Sequence, residues 1–207
     1  HGKSILFDHT ENHITREERV NNHLIAAVDL ILDCDDSKYI ILGNSMGGYF
    51  AVKMAIDNPR CSSLILSSPA GNTQSDVALT EMKNAFCDPN TTIYKSLIMY
   101  DHCCGDLKPM PQRVVGGVMS YMRFTEDEFI ETNLLLFDAI ESGSGILTED
   151  CLKSVTVNTL ILWGGQDTLM DHTVQLNLFT KIPNHQIIIQ KEFGHTQMMD
   201  HPGMFVD

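Results

Sequence analysis

Gly43-Asn44-Ser45-Met46-Gly47 fits the pattern G-x-S-x-G. It lies between the apolar run Tyr39-Ile40-Ile41-Leu42 and a segment in which Tyr49, Val52, Ala55 and Ile56 recur at helical spacing as far as Pro59. A serine on so sharp a strand-to-helix turn is held in a strained backbone conformation, and the flanking glycines admit neighbouring backbone where a Cβ would clash. Its hydroxyl is thereby presented outside the sheet edge as a candidate nucleophile. The helix starting at Met46 aims its N-terminal dipole, together with the Met46 amide, at an oxyanion forming beside Ser45.

A serine hydroxyl is a poor nucleophile at neutral pH, so it needs a base and a group that fixes the tautomer of that base. Downstream, Asp167 follows the run Thr159-Leu160-Ile161-Leu162-Trp163 and its glycine pair, and His195 follows a run ending at Phe193-Gly194. All three groups come at the carboxyl ends of predicted strands, the edge where open parallel sheets place their sites. The order Ser, Asp, His differs from the chymotrypsin-like and subtilisin-like orders. Asp171 is the alternative acid, but it is better placed to begin the helix carrying Val174, Leu178 and Phe179.

The elements that must position these groups are legible as periodicities. From Thr15 to near Asp35, Val20, Leu24, Ala27, Val28, Ile31 and Leu32 mark an amphipathic helix that opens on a capping box. The runs at Tyr39, Ser63 to Ser67, Thr159 to Trp163 and His185 to Phe193 are continuously apolar, as in parallel strands buried on both faces. The fold class is α/β, a mostly parallel sheet flanked by helices. Residues 72–150, about 80 in number, are too many for a simple connection and predict an inserted helical cap. Thr125-Glu126-Asp127-Glu128 opens one cap helix, and Ser142-Gly143-Ser144-Gly145 closes the insertion. Residues 1–71 and 151–207 then form the core. Met110, Met119, Met122, Phe124, Phe129 and Phe137 predict an apolar, adaptable pocket under that cap.

With 14 Lys+Arg against 27 Asp+Glu, the net charge of -13 repels phosphate backbones and anionic headgroups, which excludes nucleic acid and membrane partners. A small-molecule substrate remains. No apolar run approaches the ~20 residues needed to span a bilayer. The six cysteines form no C-x-x-C, and the nine histidines include no H-E-x-x-H, so no metal is assigned and no cofactor is implied. Unpaired thiols and the lack of a signal peptide point to a soluble, cytoplasmic protein.

Ile41 to Pro59, Leu160 to Asp167 and Gly194-His195 resemble the α/β-hydrolases, and the resemblance covers most of the core. Within that superfamily, Gly-Asn-Ser-Met-Gly-Gly is similar to the turn of the meta-cleavage-product hydrolases, which cleave carbon-carbon bonds in ring-fission products of aromatic compounds. The resemblance implies Ser45, His195 and Asp167 as triad, the Met46 amide as oxyanion donor and Asn44 as a substrate contact. Thr196 stands where those enzymes carry Trp, and Arg113 and Arg123 are the candidates for their cap arginine. The family's second oxyanion donor lies well upstream of the serine. His1-Gly2-Lys3-Ser4 resembles a later G-H-G-x-S stretch, so the first strands and that donor are expected to lie outside this chain. Three readings follow: an esterase of small or medium hydrophobic acyl or aryl compounds, a carbon-carbon hydrolase, and a non-catalytic ligand-binding protein or inactive fragment.

Overall fold

The computed structural model describes residues 37–72, 76–88, 90–105, 110–124, 127–143, 145–200 and 202–203. The helix expected over residues 15–35, the His1-Gly2-Lys3-Ser4 stretch and Cys34 lie outside them. Strands β1 (Tyr39–Asn44), β2 (Cys61–Ser67), β3 (Asn158–Gly164) and β4 (His185–Gln190) form a parallel four-stranded sheet in the order β1-β2-β3-β4. Asn44 is in register with Ser67, and Ser67 with Leu162, so the strand ends that carry the candidate residues lie along one edge.

The inner strands match the continuous apolar pattern, with Leu64, Leu66, Ile161 and Trp163 fully buried. The flanking strands depart from it: Ile40 and Leu42 on β1, and Ile188 and Ile189 on β4, are exposed. The fourth strand is also shorter than expected. It ends at Gln190, where the Phe193 amide donates back to the Gln190 carbonyl at 3.2 Å. Phe193 is apolar because it is buried beyond that turn, which is why its side chain reads as a strand residue.

Helix α1 (Met46–Asp57) lies against β1 and β2 and buries Tyr49, Phe50, Ala51, Val52, Met54 and Ala55. It stops at Asn58, because the residue before Pro59 is biased away from helical backbone. The core continues through Leu152, Trp163, Met170 and Phe179, and the indole N–H of Trp163 donates to the Met170 carbonyl at 2.8 Å. That bond satisfies the one polar atom of a fully buried ring.

Between β2 and β3 run α2 (Asp76–Cys87), α3 (Ile93–His102), α4 (Met110–Phe124), α5 (Asp127–Glu141) and α6 (Glu149–Lys153), with no strand among the described residues. Helices α2 and α5 share a small core of Leu79, Cys87 and Phe137 and are joined at the surface by Lys83, 3.1 Å from both Asp138 and Glu141. Helix α4 meets α3 through Gly116 and Gly117, where a Cβ would collide with the Tyr100 ring and the Leu97 side chain. This packing overturns part of the expected pocket. With the glycines turned inward, Met119 and Met122 face outward, 61% and 60% exposed, while Phe137 is ordinary helix-helix core. The side chains of Met110, Phe124, Arg113 and Arg123 lie outside the described set. Gly143, at φ 82, ends α5 in the left-handed conformation that favours glycine.

Helices α7 (His172–Phe179) and α8 (Gln197–Asp200) follow β3 and β4. The five described cysteines are free thiols. Among the described residues no helix is long and apolar enough to cross a membrane.

Candidate active site

Ser45 occupies the single residue between β1 and α1 at φ 54 and ψ -125, a conformation that L side chains rarely adopt. Three backbone hydrogen bonds hold it there: its amide donates to Ser67 O at 3.1 Å, and its carbonyl accepts from Gly48 N and Ala70 N, each at 2.8 Å. The glycines of the turn differ in their reasons. A Cβ on Gly43 would strike the Gly47 carbonyl and sit 2.7 Å from Ala51 Cβ, and one on Gly48 would lie 2.8 Å from Pro69 Cα. A Cβ on Gly47 would meet nothing within 4 Å. Met46 is the first residue of α1, so its N–H has no acceptor a turn earlier within the helix and opens beside Ser45.

His195 is 3% exposed, and its Nδ1 lies 2.9 Å from Oδ2 of Asp167, whose side chain is fully buried. The other carboxylate oxygen of Asp167 accepts from the amides of Leu169 at 3.0 Å and Met170 at 2.7 Å. A carboxylate fixed through both oxygens holds the imidazole with Nδ1 as donor, which leaves Nε2 able to accept a proton. That Nε2 is buried and has no hydrogen-bond partner among the described residues. Asp171, the alternative acid, instead caps α7 by accepting from the Thr173 amide at 2.8 Å and its hydroxyl at 2.7 Å. Those bonds from Thr173 hold its carboxyl below the usual carboxylate range.

Asn44 has a task other than the substrate contact that the resemblance implies. Its amide nitrogen donates to Ser67 O at 2.9 Å and to His195 O at 3.1 Å. Both amide hydrogens are thus taken up inside the protein, and the residue before the serine tethers the histidine loop to the sheet edge.

A family model described as serine aminopeptidase, S33 (Hydrolase_4) matches residues 1–202. The chain belongs to this family of α/β-hydrolases. It is 27% identical over 183 residues to a 2-hydroxy-6-oxononadienedioate/2-hydroxy-6-oxononatrienedioate hydrolase of Cupriavidus pinatubonensis, across 84% of this chain and 61% of that protein. It is 25% identical over 182 residues to the monoacylglycerol lipase ABHD6 of Homo sapiens, across 83% of this chain and 53% of the lipase. The chain therefore spans between half and two thirds of the curated relatives that it matches. Among solved structures, the meta-cleavage product hydrolase CumD of Pseudomonas fluorescens IP01 superposes with a TM-score of 0.74 at 20% identity, covering 96% of this chain and 71% of that one. This last likeness is one of fold.

Two further residues of this S33-family chain bear on the histidine loop. Thr196 donates from both its amide, at 3.1 Å, and its hydroxyl, at 3.0 Å, to the Cys103 carbonyl at the end of α3. Asp200, 4% exposed, accepts from Gly194 N at 2.7 Å. Spacing alone singles out neither; the available signal is an acid closing the short stretch after His195. The Cys103 thiol is pushed up to about 12 by burial and then by Cys104, Asp167 and Asp200, so it stays protonated and is no rival nucleophile. A cleft of about 450 Å³ opens between α2, α3 and the Asp167 loop, lined by Met82, Ala85, Ile98, His102, Thr168 and Leu169 among others. Neither Ser45 nor His195 is among its lining residues. Among the described residues no three His, Cys, Asp or Glu side chains are grouped to hold a metal ion.

Proposed function

We propose that this chain acts as a serine hydrolase on small or medium hydrophobic esters through an acyl-enzyme. The supporting observation is the buried His195–Asp167 pair at 2.9 Å with an unpartnered Nε2, in a loop whose His195 carbonyl is bonded by Asn44, the residue directly before the strained Ser45. In this mechanism His195 Nε2 takes the Ser45 proton as Ser45 Oγ attacks the ester carbonyl. The Met46 amide and the α1 dipole stabilise the oxyanion, and His195 returns the proton to the departing alcohol. Water, activated by the same nitrogen, then cleaves the acyl-enzyme. Residues 72–150 serve as the cap over the core and shape the pocket for the apolar part of the substrate.

Hydrolysis of p-nitrophenyl acetate and butyrate, with Ser45→Ala and His195→Ala as controls, tests this reading. Both substitutions are expected to abolish turnover, and a fluorophosphonate is expected to modify Ser45 in the parent protein. An unmodified Ser45 in a cooperatively folded protein would instead indicate a ligand-binding role. The Cupriavidus relative and the Gly-Asn-Ser-Met-Gly-Gly turn support a second reading, hydrolysis of a carbon-carbon bond in a vinylogous diketone. Comparing kcat/KM for such a ring-fission product with that for p-nitrophenyl butyrate decides between them.

A further inference from the structure

We infer that Asp200 is a positioning residue that locks the His195 loop to the segment leaving α3, so that the histidine keeps its place only while that segment is docked. This rests on reading Ser45, Asp167 and His195 as the triad. One oxygen of the buried Asp200, Oδ2, accepts two backbone amides: Gly194 N at 2.7 Å, directly before the histidine, and Gly105 N at 3.1 Å, just past the end of α3. The two backbones interlock at that point. A Cβ on Gly194 would lie 2.5 Å from both Cys104 C and Gly105 N, and one on Gly105 would strike the Glu192 carbonyl and lie 2.7 Å from Gly194 N.

On the other side of His195, Thr196 donates twice to Cys103 O, and the histidine's own carbonyl accepts from Asn44. The loop is therefore pinned at Gly194, His195 and Thr196. Two of those pins reach residues 103–105: Thr196 bonds Cys103 directly, and Asp200 is the side chain that joins Gly194 to Gly105. The same end of α3 also reaches the acid loop, because the Thr168 hydroxyl donates to the His102 carbonyl at 3.1 Å. Base and acid thus lean on one short segment of the helical insertion. Proton transfer tolerates little displacement: a shift of about 1 Å costs on the order of 10²-fold in rate.

The test uses the full-length protein with Asp200→Ala, Asp200→Asn and Gly105→Ala. The asparagine keeps an oxygen for both amides but loses the strengthening that a charge provides. Asp200→Ala is expected to slow both kcat for p-nitrophenyl butyrate and fluorophosphonate labelling of Ser45 by about 10-fold or more, with KM within about 2-fold of the parent. Asp200→Asn should fall between, and Gly105→Ala should lower kcat although it lies far from His195 in the chain. Thermal melts normalise each rate to folded protein. If Asp200→Ala does not fold, the other two variants carry the test. Parent-like labelling and kcat in the folded variants would overturn the clamp while leaving the triad standing. Failure of the parent itself to label would overturn the triad reading, and the clamp with it.

Discussion

Asp167 uses both carboxylate oxygens, one on His195 and one on the Leu169 and Met170 amides, so its hold on the imidazole and its hold on its own loop are separable by substitution. In Asp167→Asn the amide oxygen can still accept from the two amides, but the NH₂ group faces Nδ1 and enforces the wrong imidazole tautomer. The expected result is a fall in kcat of about 10³- to 10⁴-fold with a nearly unchanged melting temperature. Asp167→Ala leaves the two amides unpaired as well, and a loss of about 2 kcal/mol of stability in denaturant titration should accompany the loss of rate. Asn44 carries a task that the resemblance does not imply. Because its amide tethers His195 O to Ser67 O, Asn44→Ala should lower kcat by about 10-fold with little change in KM. A rise in KM at constant kcat would restore the substrate-contact reading.

At the scale of elements, the turn around Ser45 depends on some glycines and not on others. Gly43→Ala places a Cβ against Gly47 and Ala51 and is expected to abolish folding or cost several degrees of melting temperature. Gly47→Ala meets open space within a helix and should raise helix stability by up to about 1 kcal/mol, which a melt comparing the two variants would show. Sequence could reveal the turn because a strand, a helix and G-x-S-x-G meet at one point, and the three site residues each follow an apolar run. It could not tell a glycine required by close packing from one with open space around it. It also misread Phe193, Met119 and Met122, because apolarity records burial without naming the surface that does the burying. Tyr100 and Leu97 against Gly116 and Gly117 decide that α4 turns Met119 and Met122 outward, and no spacing within α4 carries that information. Asp200 was illegible for a related reason: its second partner, Gly105, lies 95 residues away.

For the whole molecule, the helical insertion and its junction with the core contain buried groups that resist ionisation. Burial, with smaller contributions from neighbouring charges, raises the Cys103 thiol to about 12 and the Tyr100 phenol to about 12. Burial likewise raises the Cys87 thiol to about 11. In the unfolded chain the thiols titrate near 9.0 and the phenol near 10.0. Above those values the unfolded state releases protons that the folded state retains, so folding stability must fall as pH rises. The stabilisation is fully present below pH 9 and is lost between there and the raised folded values. A net charge of -13 at pH 7 grows more negative over the same range and adds self-repulsion. The melting temperature is therefore expected to hold nearly level from about pH 7 to pH 8.5 and to drop steeply above about pH 9. Cys103→Ala should flatten that drop, since alanine has no proton to lose in either state. An alkaline slope identical in parent and variant would show that the thiol beside the histidine loop is not a source of the instability.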